Sequence, residues 1–216
     1  YYSRQIELTG VTLKLNTRVN VDDLNNSDFD EVILATGIVP RTPPIKGIDH
    51  PKVLNYIDVL KDKKEVGKRV AVIGAGGIGF DVSEYITHAG PTTSLDIPAF
   101  MKEWGVDMTL SARGGIEGVQ AQPTPSPREV FLLQRKEKKV GAGLGKTTGW
   151  IHRTGLVNKG VKMIPGCEYQ KIDDAGLHIK VGNEERILEV DNVIICAGQD
   201  PQRELTEGLS KTVHLI

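Results

Sequence analysis

The stretch KRVAVIGAGGIGFDVSEYITH, residues 68–88, decides how this 216-residue chain folds. An unbroken apolar run over Lys68–Ile73 is typical of a strand in a parallel sheet that is buried on both faces. The residues from Gly77 to His88 have the periodicity of a helix, and Gly90 supplies a stop signal after it. A strand, a glycine turn and a helix in this order predict the start of a Rossmann-type α/β domain.

The turn between this strand and this helix carries the pattern G-x-G-x-x-G. The first glycine permits the tight turn, the second lets the backbone approach a pyrophosphate, and the third allows the helix to pack closely on the strand. Backbone amides at the helix N-terminus then face the anion. In a chain with 24 glycines the pattern alone is a weak signal, and its position between strand and helix strengthens it. We predict a dinucleotide-binding loop formed by Gly74, Ala75, Gly76, Gly77, Ile78 and Gly79.

Composition restricts the possible partners. Hydrophobic residues make up 39% of the chain and charged residues 25%, as in soluble globular proteins. The formal net charge of -1 provides no basic face for nucleic acid or for an anionic membrane. No apolar run approaches the ~20 residues that span a bilayer, and the first residues lack the apolar segment of a secretion signal. We expect no nucleic-acid partner, no membrane association and a cytoplasmic location.

Side chains with catalytic or metal-binding chemistry form no recognisable site in the sequence. The two cysteines, Cys167 and Cys196, do not form a Cys-x-x-Cys pair, so we expect two small buried thiols. The five histidines lack the spacing of a zinc site, and no serine or cysteine is recognisably paired with a histidine. We therefore assign no metal ligand and no catalytic residue. His152 and Arg153 either line the nicotinamide side of the cofactor site or lie on a surface helix.

The residue that selects between NAD and NADP is expected at the end of the second strand of the domain. An acidic residue there binds the ribose 2′-hydroxyl of NAD, and a basic residue binds the 2′-phosphate of NADP. The strand predicted at Glu129–Gln134 runs into Arg135 and Lys136, with no acid at its tip. These two residues favour NADP(H), and a solvated basic turn is the alternative because the segment is rich in lysine. One charge-assisted bond to phosphate contributes roughly 1.5–3 kcal/mol, enough for a ten- to hundredfold preference.

Two distant stretches share one pattern. Residues 30–40 and 191–201 both have the pattern Asp-x-Val-Ile-aliphatic-x-x-Gly-x-x-Pro. In each, an apolar strand is followed by a glycine and a proline, which are expected at the carboxyl edge of a sheet. We interpret both strands as buried on both faces. The repeat reflects either two ordinary strands ending in turns or two related nucleotide-binding domains. The second alternative places the first strand in a domain that begins before Tyr1.

Weaker patterns complete the prediction. Residues 1–10 fit the end of a helix, and Val11–Val21 alternates like a half-buried strand. Four prolines make residues 38–51 an extended segment at a domain boundary. An antiparallel meander is predicted over residues 168–190, whereas the proline-rich insert at 90–128 has no role that follows from its residues.

Four segments together resemble the C-terminal part of bacterial NADPH-dependent 2,4-dienoyl-CoA reductases. They are ATGIVP at 35–40, VIGAGGIGFD at 72–81, SLDIP at 94–98 and CAGQDP at 196–201, and the likeness covers essentially the whole chain, including the insert. Enzymes of this family have a (β/α)₈ barrel with FMN and the active site, a 4Fe-4S cluster, and FAD and NADPH domains of the glutathione-reductase type. The resemblance implies an α/β fold: a three-layer dinucleotide-binding domain with a parallel sheet and an antiparallel β-meander, plus part of a second, interrupted FAD-type domain.

The resemblance also implies a function. NADPH gives hydride to FAD, electrons pass through the cluster to FMN, and FMN reduces a dienoyl-CoA in fatty-acid β-oxidation. The barrel and the cluster cysteines have no counterpart in this chain, so the implied partners are that N-terminal flavin barrel and a dienoyl-CoA bound elsewhere. The implied FAD site is incomplete in this chain. Cofactor contacts are implied for Val19, Ala35, Thr36, Gly37 and Gly198.

These expectations divide the chain as follows: a partial FAD-binding domain at 1–48 and 203–216, a linker at 49–65, and an NADP(H)-binding domain at 66–202 with the insert at 90–128. One alternative is the ADP-storing structural domain of a flavoprotein like trimethylamine dehydrogenase. Others are a different NAD(P)H:flavin reductase and an interaction domain whose glycine loop is empty. A disulfide reductase of the thioredoxin-reductase kind is disfavoured because no Cys-x-x-Cys pair is present.

Overall fold

The computed structural model describes residues 1–111 and 113–216. The chain divides into two units, a smaller one of residues 1–39 and 200–216 and a larger one of residues 40–199. The chain therefore passes twice between the units. At these two passages strands β2 (Ile38–Pro40) and β11 (Gln199–Pro201) form a two-stranded sheet.

Helices and strands alternate irregularly along the described residues. The α-helices are α1 (Tyr2–Leu8), α2 (Val21–Asn25), α3 (Tyr56–Leu60), α4 (Gly77–Thr87), α5 (Ile97–Trp104) and α6 (Gly149–Asn158). The other strands are β1 (Glu31–Leu34), β3 (Val53–Asn55), β4 (Arg69–Ile73), β5 (Glu129–Leu133), β6 (Lys162–Ile164), β7 (Cys167–Asp173), β8 (Gly176–Val181), β9 (Glu184–Leu188), β10 (Asn192–Ile195) and β12 (Thr212–Leu215). Short 3₁₀ turns lie at Thr93–Leu95, Arg113–Gly115 and Glu204–Thr206. All of these helices are too short or too polar to cross a bilayer.

A five-stranded parallel sheet in the order β3-β10-β4-β5-β6 is the centre of the larger unit. Ile73, the last residue of β4, is in register with Ile195 of β10 on one side and Leu133 of β5 on the other. The carboxyl ends of these three strands therefore meet at one edge of the sheet. Such an edge is where open α/β folds bind their ligands.

The sheet separates two apolar cores, because successive side chains of a strand point to opposite faces. Ala71 and Ile73 face the antiparallel meander β7-β8-β9, whereas Val70 and Val72 face α4 and α6. All four side chains are fully buried. The parallel sheet, the meander and the helices thus form the three-layer α/β arrangement that the sequence predicts, and this fold class is confirmed.

The smaller unit contains a parallel pair of strands, β1 and β12. Burial alternates along β1, since Val32 and Leu34 are buried while Ile33 is 65% exposed. The expectation that this strand is buried on both faces is therefore wrong for this chain. Asn25 and Lys211 help to hold the unit together, because Asn25 Nδ2 donates to the Gly208 carbonyl over 3.0 Å and Lys211 Nζ donates to carbonyls that precede β1.

Two sequence expectations about connecting segments fail. The supposed linker at 49–65 contains β3 and α3, and β3 pairs with β10 as an edge strand of the central sheet. The strand expected over Val11–Val21 is wrong, because residues 11–20 form no regular element and α2 begins at Val21. Leu13 and Leu15, which produced the alternating pattern, are exposed.

The insert at 90–128 contains the two-turn helix α5. The Asp96 side chain caps this helix by accepting a hydrogen bond from Ala99 N over 3.0 Å, and Pro98 lies in the first turn. The helix ends at Gly105, whose φ of 69° is the left-handed conformation that glycine tolerates.

Candidate dinucleotide-binding site

A cleft of about 570 Å³ lies at the carboxyl edge of β4, β5 and β10. It is bordered by the glycine loop, the turn after β5, one residue of the meander and the segment after β10. Its walls are formed by Ile73, Gly74, Ala75, Gly76, Gly77, Ile78, Gln134, Arg135, Lys136, Gly143, Tyr169, Cys196, Ala197, Gly198 and Gln199. The structure thus brings the predicted loop and the predicted basic pair to one cavity.

The loop glycines have three different geometric requirements. Gly74 has a φ of +109°, and a Cβ there would lie 2.5 Å from the Cys196 carbonyl oxygen. A Cβ on Gly79 would lie 1.8 Å from the Gly74 carbonyl oxygen, so the helix approaches the loop as closely as a hydrogen atom allows. A Cβ on Gly76 would meet no protein atom within 4 Å. This open space beside the backbone is the room that a pyrophosphate needs.

The first turn of α4 presents unpaired donors to the cleft. The leading N–H groups of a helix have no partner within the helix, and no side chain caps α4 at Gly76. The first turn also contains no acidic residue that would repel an anion. The helix N-terminus therefore fits a negatively charged diphosphate.

The turn after β5 carries the positive charges. Gln134 stabilises the conformation of this turn, because Gln134 Nε2 donates to the Lys136 carbonyl over 2.8 Å and to the Lys138 carbonyl. Arg135 and Lys136 are exposed, and within the described part of the chain their side chains make no hydrogen bond or ion pair. Two cations on a fixed backbone are therefore available to a ligand at this end of the cleft.

The opposite end of the cleft is formed by the segment after β10. Gly198 has a φ of +105°, and its carbonyl accepts a hydrogen bond from Arg41 N over 3.1 Å. The Arg41 guanidinium donates to the Gln199 carbonyl over 3.2 Å, and Gln199 Nε2 donates to the Tyr56 hydroxyl over 3.4 Å. Burial raises the pKa of the Cys196 thiol to about 12, so this thiol is uncharged near neutral pH.

The pair His152 and Arg153 does not reach this cleft. His152 Nδ1 is 2.8 Å from Glu84 Oε1, and Arg153 Nε donates to the Val140 carbonyl over 3.3 Å. Neither residue lines the cavity. The suggestion that they line the nicotinamide side is wrong, and the surface-helix alternative fits.

The residues implied to contact FAD lie in the smaller unit, except Gly198. Val19 is exposed in the irregular segment before α2, and Ala35, Thr36 and Gly37 follow β1. The Thr36 hydroxyl donates to the Gln202 carbonyl, and Gln202 N donates to the Gly37 carbonyl over 3.0 Å. Their contacts with a flavin remain a prediction.

Sequence reasoning missed seven residues of the cleft wall: Ile73, Gln134, Gly143, Tyr169, Cys196, Ala197 and Gln199. Gln134 and Gln199 are direct neighbours of predicted residues, so strand-end position was a usable signal. Tyr169 belongs to the meander, and nothing in its local sequence indicates that it reaches the cleft.

Metal binding has no support in the described residues, where no group of three or more His, Cys, Asp and Glu side chains is placed to hold an ion. The two cysteines are both free and buried, and burial raises the pKa of the Cys167 thiol to about 11. They lie in separate segments, Cys167 at the start of β7 and Cys196 just after β10, and form no dithiol pair.

This fold and this cleft place the domain in the class of FAD/NAD(P)-dependent oxidoreductases. Over residues 4–214 the chain matches the family described as pyridine nucleotide-disulphide oxidoreductase, and it belongs to that family.

Three similar proteins illustrate the relationship. A metal reductase of Desulforamulus reducens is 23% identical over 211 residues, which are 96% of this chain and 30% of that protein. A cinnamate reductase of Clostridium sporogenes is 35% identical over 95 residues, 44% of this chain and 14% of the relative. The structure of a 2-naphthoyl-CoA reductase matches with a TM-score of 0.71 and 25% identity, over 100% of this chain and 28% of the other. The chain thus spans less than a third of the length of each.

Proposed function

We propose that the larger unit binds NADP(H) and that the chain is the part of a 2,4-dienoyl-CoA-reductase-like enzyme that receives hydride from NADPH. The observation that carries this proposal is one cleft in which the glycine loop and the Arg135–Lys136 turn face the same space. The loop provides amides for a diphosphate, and the turn provides cations for a further phosphate. NADP(H) carries both groups.

We infer the direction of the bound dinucleotide from the strand order. Its diphosphate is expected over the end of β4, where the helix N-terminus begins. Because β4 lies between β5 and β10, one half of the ligand lies over β5 and the other over β10. The cations after β5 assign the adenosine 2′-phosphate to that side. The nicotinamide then lies near Gly198 and Gln199.

When bound, NADPH supplies a hydride for FAD. The residues of this chain contribute binding and orientation, which matter because hydride transfer depends on the alignment of the two rings. Among the described residues, the nicotinamide end of the cleft has no acid–base group placed for proton transfer, since its wall consists of Cys196, Ala197, Gly198 and Gln199.

Two similar proteins support a conjugated substrate. One is named for 2-naphthoyl-CoA and the other for cinnamate, and both compounds contain carbon–carbon double bonds conjugated with a carbonyl group, as a dienoyl-CoA does. We therefore propose that a barrel with FMN and a 4Fe-4S cluster works with this chain, and that the dienoyl-CoA binds to that barrel.

The cofactor assignment is tested by calorimetric titration with NADPH and with NADH. We expect the unmutated chain to bind NADPH roughly ten- to hundredfold more tightly, and Arg135→Ala to remove most of the difference. Lys139→Ala is the control, because Lys139 lies in the same lysine-rich segment but does not line the cleft. Equal affinities of the unmutated chain for the two cofactors would contradict the assignment.

The substrate assignment is tested by following NADPH oxidation at 340 nm with a 2,4-dienoyl-CoA. This chain alone should show negligible turnover, and the chain joined to the barrel and cluster that the proposal requires should turn over. Robust turnover by the chain alone would refute the proposal that the dienoyl-CoA is reduced on a separate barrel. Retention of ADP during purification, together with no NADPH oxidation, would instead favour the ADP-storing structural domain.

A further inference from the structure

Tyr169 lies in the cleft wall, and its hydroxyl is not used by the protein. Its ring packs against the core between the central sheet and the meander, and its side chain forms part of the cleft lining. In the part of the chain that the structure describes, the hydroxyl has no hydrogen-bond partner. The residue is half-buried and its hydroxyl is not a buried atom, so a ligand in the cleft can accept a hydrogen bond from it.

Backbone hydrogen bonds hold Tyr169 close to the basic turn. Gly166 N donates to the Lys136 carbonyl over 3.1 Å, and Cys167 N donates to the Gln134 carbonyl over 2.9 Å. The start of β7 is thus fastened to both sides of Arg135. Tyr169 follows two positions later on the same strand face as the buried Cys167, because side chains alternate along a strand.

We propose that Tyr169 is a further NADP(H)-binding residue, which donates its hydroxyl hydrogen to the adenosine 2′-phosphate while Arg135 binds the same phosphate through its guanidinium group. This inference rests on the proposed function and extends it to a residue outside the glycine loop and the basic turn. Tyr169 would thereby contribute to the discrimination between NADPH and NADH, which has a hydroxyl group in place of the phosphate.

The electrostatics suit this role. Burial raises the pKa of the Tyr169 phenol, Cys167 adds to the rise, and the positive charge of Arg135 opposes it in part. The phenol therefore keeps its proton throughout the physiological range and acts as a donor. A neutral O–H donating to an anion forms a short, charge-assisted hydrogen bond. Arg135 supplies the charge that holds the phosphate in reach.

The test uses Tyr169→Phe, which removes the hydroxyl and keeps the ring in the core. We expect the affinity for NADPH to fall about tenfold, which corresponds to about 1.4 kcal/mol, and the affinity for NADH to stay within about twofold. Tyr85→Phe is the matched control, because Tyr85 is a tyrosine on α4 that lies outside this cleft. It should change neither affinity.

The comparison of the two cofactors separates the possible failures. If the unmutated chain prefers NADPH and Tyr169→Phe keeps that preference in full, the role of Tyr169 is refuted and the proposed cofactor stands. If Tyr169→Phe weakens NADPH and NADH equally, the residue supports only the shape of the cleft, and the inference is again refuted. If the unmutated chain does not distinguish the cofactors, the proposed function and the inference both fail.

Discussion

Replacing Gly79 with alanine is expected to destabilise the larger unit and to weaken cofactor binding at the same time. Gly79 lies in the first turn of α4, and a Cβ there would be 1.8 Å from the Gly74 carbonyl oxygen and 2.9 Å from its carbonyl carbon. Both atoms belong to the backbone, so no side-chain rotation relieves the contact. Either the helix moves away from the loop or the loop opens.

The size of the effect follows from this distance. Carbon–oxygen contacts are tolerated at about 3.3 Å, so helix and loop must separate by roughly 1.5 Å. Overpacking of this kind costs about 1–3 kcal/mol. A loss of about 2 kcal/mol lowers the Tm of a unit of this size by roughly 4–8 °C. If the shift also breaks one charge-assisted bond to the diphosphate, NADPH affinity falls roughly ten- to hundredfold.

The assay combines thermal unfolding, followed by circular dichroism, with calorimetric titration of NADPH. Gly155→Ala is the matched control, because Gly155 lies in α6 and a Cβ there meets no atom within 4 Å. This control should stabilise the chain by about 0.5–1 kcal/mol through helix propensity. A Gly79→Ala variant that unfolds at the unmutated temperature and binds NADPH equally well would refute the close approach of helix and loop.

Three further predictions concern the loop, the thiols and an acidic cap. Gly76→Ala should leave the unfolding temperature unchanged, because the new Cβ meets no protein atom within 4 Å. The same change should weaken NADPH binding roughly ten- to hundredfold in calorimetry, because the Cβ occupies the space expected for the diphosphate. An unchanged affinity would mean that the diphosphate binds elsewhere. Burial raises the thiol pKa values of Cys167 and Cys196 to about 11 and 12. Both thiols should therefore resist alkylation at pH 8 until urea unfolds the chain. Fast labelling of the folded protein would argue against their burial. Burial raises the pKa of Asp58, but hydrogen bonds from Lys64 Nζ at 2.7 Å and from the helix-capping backbone amide of Asn55 lower it by more, so the net shift of the pKa is downward. The stabilisation by this carboxylate is therefore present above the pKa of an unfolded-state aspartate and is lost as the pH falls through the folded-state pKa. Asp58→Asn should flatten the dependence of the unfolding free energy on pH in the acidic range, and a slope equal to that of the unmutated chain would count against this prediction.

The strand, loop and helix around the glycines were predictable because local sequence determines each of them. The strand expected at Lys68–Ile73 is observed at Arg69–Ile73, and the helix expected at Gly77–His88 is observed at Gly77–Thr87. An unbroken apolar run, glycine geometry and helical periodicity each act within a few residues of one another. The antiparallel meander was predictable for the same reason, since alternation and turn residues are local signals.

Elements stabilised by distant partners were not predictable. Strand β3 has three residues of intermediate burial, and it exists because it pairs with β10. The available signal was at the start of α3, where Asn55 and Asp58 form a capping box. Val11–Val21 shows the opposite error, because alternation there is not accompanied by a surface on which the apolar side chains are buried.

The cleft residues likewise include one that local sequence predicts and one that depends on a distant contact. Arg135 could be found by counting strands from the loop, since the end of the second strand has a known position in this fold. Tyr169 could not, because it reaches the cleft only through the pairing of residues 166–167 with the turn after β5. Of the two residues that we propose to select the cofactor, one is therefore predictable from its position in the chain and the other only from a contact formed in the folded protein.

The interrupted course of the smaller unit has a consequence for biosynthesis. His214 and Glu31, which pair across β12 and β1, are 183 residues apart in the chain. At ribosomal rates of about 5–20 residues per second, β1 waits roughly 10–40 s for its neighbouring strand. The larger unit, residues 40–199, is synthesised within that interval, and its cleft is complete only once residues 196–199 have been added. Throughout that time β1, with Ile33 on its exposed face, lacks the strand with which it pairs in the folded smaller unit.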